Sequence, residues 1–211
     1  MLRVVTPAAA RAFTDLVTVK ADLGLSGTDQ DARLARFIRE AGEFIERTCG
    51  RVFPRETVEE TVEGSDDVLL VLERRPVVEI VSVLCGGEVL LDATVEDADA
   101  GLLRRDEGWL RQSILAPSLF SGFPIASGAA VQRYTIRYTA GYKMVDYAVP
   151  AECNLPDSLI GIATDYVRYR FEGRSVDQSL SQHRMGDETE VYRQGREILV
   201  DFETRLFPWR G

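Results

Sequence analysis

The sequence predicts an α+β fold, a helical unit drawn from both chain ends with an antiparallel β domain inserted between them. Apolar residues recur at helical spacing before residue 50 and again after residue 156, and they alternate at period two between about 58 and 139. The two patterns come in separate runs instead of interleaving, which argues against βαβ units. Residues 1–53 and 148–211 are therefore expected in the helical unit, and residues 54–147 in the β domain. A chain of 211 residues, 45% apolar and 28% charged, has ordinary globular composition and room for one ample core or two small ones.

Asp15 to Leu23 reads as a short helix stopped by Gly24, with Leu16, Val19, Lys20 and Leu23 at helical spacing. The next helix is the best defined. Thr28 and Asp31 make a start like a capping box, Leu34, Phe37, Ile38, Ala41, Ile45 and Thr48 share one face, and Gly50 is placed to cap the end. Its other face pairs Arg36 with Glu40, Arg39 with Glu43, and Glu43 with Arg47, an arrangement that solubilises a helix and implies no catalysis.

Past Pro54 the period changes to two. Val58, Glu60 and Val62 alternate with Glu59 and Thr61, and Val68 to Leu72 suits a short buried strand. Pro76 opens a strand reaching Cys85, and Gly86-Gly87 then signals a two-residue hairpin, because glycine accepts the positive φ of a primed turn. Residues 92–130 read as scattered strands and a long loop. Val131 to Thr139 is a half-buried strand with Tyr134, Ile136 and Tyr138 on one face and Arg133, Thr135 and Arg137 on the other.

Helical spacing returns at Pro156 through Leu159, Ile162, Ala163, Tyr166, Val167 and Arg170 and stops at Gly173. A last helix is expected from about Thr189 to Leu206, after a long polar loop from Arg174 to Glu188.

The net charge of -9 is uneven: residues 56–99 hold thirteen acids against Arg74 and Arg75, a balance of -11 that leaves +2 for the rest. There is no basic stripe to release counterions from DNA, so sequence-specific DNA binding is not expected. Of the 25 basic residues only Lys20 and Lys143 are lysines, and the arginines suit planar contacts to carboxylates at interfaces. No apolar run approaches the roughly 20 residues that span a bilayer. The opening residues lack the apolar core of a signal peptide, so folding in a cytoplasm is expected. Cys49, Cys85 and Cys153 are widely spaced and read as free thiols packed as small hydrophobes.

Candidate chemistry is sparse. His183 is the only histidine, and no nucleophile elbow or zinc-protease motif accompanies it. Adjacent acids such as Glu59-Glu60, Asp66-Asp67 and Asp187-Glu188 point to opposite faces if extended, whereas an acid/base pair must converge. Asp92, Glu96, Asp97 and Asp99 lack the ligand spacing of a calcium loop. Gly86-Gly87 lacks the Lys-Ser or Lys-Thr of a phosphate loop. We therefore expect no enzyme, cofactor or metal; the competing reading, a small carboxylate-dependent hydrolase, requires a concave site with convergent acids.

The closing residues, Leu206-Phe207-Pro208-Trp209-Arg210-Gly211, are more informative. Large aromatics beside an arginine anchor interfaces, unless they dock back on the chain's own core.

Several phrases together resemble the phage head-tail connector (adaptor) family. LVTVKADLGL followed by DQDARLARFIREAGEFIERTCGR is similar to its short helix, acidic break and long helix; RPVVEIVSV, YTAGY, VPAECNLPDSLIGIATDYVRYRFEG and LFPWRG resemble its later landmarks. The large β region resembles the longer adaptor form also found in gene transfer agents.

This resemblance implies a dodecameric ring of neighbouring copies in the virion neck, assembled in the host cytoplasm and away from membranes. The ring would bind the portal protein, meet a stopper or tail-completion protein, and surround passing DNA without sequence-specific binding. Phe207, Trp209 and Arg210 are the expected portal anchors, with Arg174 to Glu188 ordering on contact. Glu59, Glu60, Asp66 and Asp67 are the expected acidic lumen or rim. The alternative within this class is another neck protein, a stopper or tail-completion factor.

Overall fold

The computed structural model describes residues 1–111, 131–145, 152–173, 182–185, 188–191 and 195–211. In chain order the elements are β1 (Leu2–Thr6), α1 (Leu16–Leu23), α2 (Asp31–Cys49), β2 (Glu56–Glu63), β3 (Leu69–Val71), β4 (Val77–Cys85), β5 (Glu88–Leu90), β6 (Thr94–Asp97), β7 (Leu102–Arg104), β8 (Arg133–Ala140), α3 (Asp157–Glu172), β9 (Gln182–Met185), β10 (Glu188–Val191) and α4 (Gly195–Leu206), with a final 3-10 turn at Phe207–Trp209. The fold is α+β, as expected, with its strands paired antiparallel. It divides into two compact units, residues 1–8 with 54–141 and residues 9–53 with 142–211.

In the helical unit the α2 stripe is buried through Leu34, Phe37, Ile38, Ala41, Phe44, Ile45 and Cys49. Leu159, Ile162, Ala163, Tyr166 and Val167 of α3, Val19 of α1 and Phe202 and Leu206 of α4 join the same core. Phe44 stacks on Tyr166 with ring centroids 4.8 Å apart, and Phe202 lies 5.7 Å from Tyr166. The buried hydroxyls of Thr14 and Thr164 satisfy each other at 2.9 Å.

Helix ends follow local chemistry. Asp15 accepts the Thr18 amide at 2.7 Å to cap α1, and Gly24 and Gly50 stop α1 and α2 in the left-handed region. The expected Thr28–Asp31 capping box does not form, because the N-cap position falls on Gln30, without a side-chain bond. Asp31 instead receives the Lys20 ammonium at 2.7 Å, an ion pair that also brings Lys20 to the Gly27 carbonyl. Of the expected pairs along α2, Arg36–Glu40 forms at 3.4 Å, and Arg170 of α3 reaches the same Glu40 at 2.9 Å.

In the β unit, five antiparallel strands order as β1-β2-β8-β4-β5, and three more order as β3-β7-β6. β2 and β8 match over eight residue pairs, from Glu56–Ala140 to Glu63–Arg133. Alternation sends Val58, Tyr134, Ile136 and Tyr138 into the core, where each is fully buried. Leu70, Leu72, Leu103 and Trp109 fill the same core, with Trp109 meeting Tyr134 edge-on at 5.1 Å. The hairpin at Gly86-Gly87 forms as expected, with φ of 59° and 92°.

Three sequence expectations are corrected. Residues 1–8 belong to the β unit, because Leu2–Thr6 pairs with β2; as an edge strand it leaves Arg3 to Thr6 exposed and so carries no period-two signal. Part of the expected polar loop is an antiparallel pair, β9 with β10. The last helix accordingly begins at Gly195, since 188–191 is a strand. Residues 112–130 of the expected strands-and-loop region 92–130, and the first part of the Arg174–Glu188 loop, lie outside the described residues.

Gly64, just after β2, runs against the chain beside Leu110: a Cβ there would lie 2.1 Å from the Leu110 carbonyl oxygen. Backbone cannot yield as a side-chain tip can. Gly64→Ala should therefore lower the unfolding free energy by about 1–3 kcal/mol or more, read as a drop in the urea midpoint. An unchanged midpoint contradicts this close approach.

Candidate assembly surfaces

The closing segment is positioned by α4. Phe202 and Leu206 are buried, so the turn that follows is held where α4 leaves the core. The Gly211 amide donates to the Cys49 carbonyl at 2.9 Å, which satisfies one of the orphan acceptors at the end of α2. The three expected anchors divide here. Trp209 is half-buried against the helical core, whereas Phe207 is 68% exposed and the Arg210 guanidinium lies 5.7 Å from its ring centroid. An exposed aromatic ring with an arginine over its face, on a backbone held by α4, has the chemistry of an interface anchor.

Cys49 sits under this segment, with its thiol 3.9 Å from the Leu206 carbonyl. Burial pushes the thiol up to about 11, partly offset by the charges of Arg51 and Arg210.

The four expected surface acids have separate fates. Glu60 is buried, which corrects its assignment to a lumen or rim. Its carboxylate accepts from the Tyr138 hydroxyl at 2.6 Å and from the Glu73 amide at 3.1 Å, while the Tyr138 oxygen accepts the Arg74 amide at 3.1 Å. The pair thus holds the connection between β3 and β4 against the sheet. Burial, followed by the hydrogen bond to Glu60, raises the Tyr138 phenol far above its usual range. An inward position on a period-two strand is the signal that could have found Glu60; its acidic type masked it.

Glu59 lies on the opposite face and pairs with Arg137 at 2.8 Å, directly across from it on β8. Asp66 and Asp67 are exposed at the turn after β2, where Asp66 accepts the Arg111 amide and Asp67 the Val68 and Leu69 amides. Both shape the turn.

His183 is placed in β9 opposite Glu190. Asp92 pairs with the buried Arg105 at 2.7 Å, and Asp97 accepts the Ala100 amide. Among the described residues no group of three or more His, Cys, Asp or Glu is arranged to hold a metal ion. No helix among them is long and apolar enough to cross a membrane.

With this geometry in place, residues 13–74 match the family model described as the phage gp6-like head-tail connector protein. That stretch holds α1, α2, β2 and β3. Among solved structures, the chain is similar to one from the neck of an empty gene transfer agent particle, at 16% identity and a TM-score of 0.55, covering 100% of this chain and 95% of that one. A chain from the virion of a native gene transfer agent particle matches at 16% identity, TM-score 0.54 and the same coverage. At that identity the likeness is one of fold. No curated protein sequence matches at a significant level. The family match bears out the resemblance to head-tail connectors read from the sequence landmarks, and the solved structures share the fold.

Two predictions follow from the buried hydroxyl and thiol. Tyr138→Phe removes the hydroxyl donor and leaves the buried Glu60 carboxylate only the Glu73 amide, and should cost about 1–3 kcal/mol by urea unfolding, whereas Glu59→Ala, a surface pair, should cost at most about 1 kcal/mol. Equal losses would contradict the difference in burial. The raised thiol value of Cys49 means that its neutral form stabilises the fold fully below the unfolded value of about 8.5, and that this contribution disappears as pH rises towards the folded value. The buried phenols of Tyr134, Tyr138 and Tyr166, all raised chiefly by burial, extend the loss above pH of about 10. The urea midpoint should therefore fall across that alkaline window, less steeply in Cys49→Ala; a slope unchanged by Cys49→Ala contradicts the assignment.

Proposed function

We propose that the chain is a structural head-tail connector of a tailed phage or phage-like particle, a ring component beneath the portal that joins head to neck and encloses the DNA exit channel. The observation that carries this is the connector-family match over α1 and α2, the helices that build the helical core. The fold shared along the whole chain with a protein of a gene transfer agent neck supports it. The role is one of binding and geometry, with no reaction. It requires neighbouring copies, twelve in the resemblance stated above, with the portal on one side and a stopper or tail-completion protein on the other. Assembly in the host cytoplasm and residence in the virion neck go with that role.

Phe207 and Arg210 are the portal contacts this reading favours, because they are exposed and already stacked on a fixed backbone. Trp209 supports them from the core side. Of the four acids expected at a lumen or rim, the exposed Asp66 and Asp67 are the ones that would face DNA as a repulsive surface, favouring sliding over sticking.

Truncating the closing residues would also strip Trp209 and the Gly211 cap from the core, so point substitutions make the cleaner test. Phe207→Ala combined with Arg210→Ala should weaken binding to the cognate portal by about 2 kcal/mol or more, the range of an anchoring residue. The urea midpoint should move by no more than about 0.5 kcal/mol in equivalent stability. A folded double variant that binds the portal undiminished contradicts these contacts.

A further inference from the structure

We infer that Arg33, Arg36 and Arg170 of the helical unit form a carboxylate-binding site that takes Glu96, Asp97 and Asp99 from the β unit of a neighbouring copy. The inference deepens the ring reading above and rests on it. Arg33, Arg36, Phe37 and Glu40 stand at i, i+3, i+4 and i+7 on α2 and so share one side of the helix, and Arg170 reaches them from α3. The three guanidiniums lie 5.5, 5.0 and 5.7 Å from the centroid of the Phe37 ring, and that of Arg33 is also 4.7 Å from the centroid of Phe171. These ring contacts restrain the arginines, so part of the side-chain entropy that binding would cost is already lost.

Charge at this place is unbalanced. Among the described residues Glu40 is the one carboxylate that meets the three arginines, with Arg36 at 3.4 Å and Arg170 at 2.9 Å. Arg33 donates to the Phe171 carbonyl, and its Nε is buried without an acceptor. Arg36 and Arg170 are exposed, and a guanidinium has five N–H donors, more than Glu40 can fill on both. A further carboxylate would neutralise the excess through in-plane, charge-assisted bonds. A DNA phosphate is a poorer match, because Glu40 stands among the arginines and the chain carries a net charge of -9.

The β unit supplies the complement. Several of its acids are already paired: Glu59 with Arg137, Glu63 with Arg133, Asp92 and Glu107 with Arg105, and Asp106 with Arg104. β6 differs. All four of its residues are exposed, as is Asp99 in the turn that follows, and Glu96, Asp97 and Asp99 form no ion pair among the described residues. The bulge between Val95 and Asp97 breaks the alternation that would otherwise send Glu96 and Asp97 to opposite faces. Two copies meeting through the same surface would set arginine against arginine or acid against acid. Only the unlike surfaces attract, so the contact is heterologous, the kind that generates a ring.

Charge reversal of the two surfaces in the full chain is the test. Arg36→Glu with Arg170→Glu makes one variant, and Glu96→Arg with Asp99→Arg a second. Arg33, which stacks on Phe171, and Asp97, which accepts the Ala100 amide, are kept. Association of copies is followed by sedimentation, with and without the cognate portal. Each variant alone should need about tenfold more protein to associate, since like charges then face each other. An equimolar mixture should regain the wild-type value, because alternating copies pair opposite charges at every contact, and that recovery also shows both variants to be folded. Recovery in a chain carrying all four substitutions but not in the mixture overturns the inference in favour of a contact within one chain. Variants that associate as the wild type does, or a loss that the mixture leaves uncorrected, overturn the pairing and leave the ring reading standing. A first variant that associates normally but loses affinity for a duplex DNA fragment assigns the arginines to phosphate and overturns the pairing too. A wild-type chain that stays monomeric both alone and with the portal overturns both readings.

Discussion

Burial of the apolar face of α2 is the constraint from which the helical unit follows. A helix of 19 residues with Leu34, Phe37, Ile38, Ala41, Phe44 and Ile45 along one side must cover that stripe, and α1, α3 and α4 all pack on it. The ends are tied as well. The Arg33 guanidinium stacks 4.7 Å from the Phe171 ring centroid and donates to the Phe171 carbonyl near the end of α3. At the other end of α2, Gly211 caps the Cys49 carbonyl. The knob of Phe207 and Arg210 is therefore a consequence of α2 packing: the same helix that the connector family shares also fixes where the closing residues emerge.

The β unit obeys a different constraint, the long register of β2 with β8. One face must be dry, and Glu60 sits on it, tolerated because Tyr138 and the Glu73 amide satisfy its carboxylate. The other face alternates Thr57–Thr139, Glu59–Arg137 and Glu63–Arg133, so its charges largely cancel across the strands. The acidity of this stretch is thus distributed among a buried hydrogen bond, surface ion pairs and a turn. Glu59 and Glu60 point to opposite faces of the sheet, and Asp66 and Asp67 each accept backbone amides in their turn.

Much of this was legible in the residues. The period of α2, the alternation of β8 and the Gly86-Gly87 turn each reflect a physical requirement that acts within a few residues, and each formed as expected. What the sequence concealed depends on partners far along the chain. Leu2–Thr6 is a strand because β2 pairs with it, some 55 residues later, and its exposed side chains show no pattern. Glu60 reads as a surface acid until Tyr138, which is 78 residues away, is placed beside it. Lys20 captured Asp31 and removed it from the expected cap. The division of the closing residues into an inward Trp209 and an outward Phe207 likewise depends on where α4 meets the core.

The most direct test is electron microscopy of the purified chain mixed with the portal of its own particle. The account predicts a ring of density added to one face of the portal, with the knob of Phe207 and Arg210 at the contact and successive copies side by side. A portal that stays bare while the folded chain remains free in solution would contradict it.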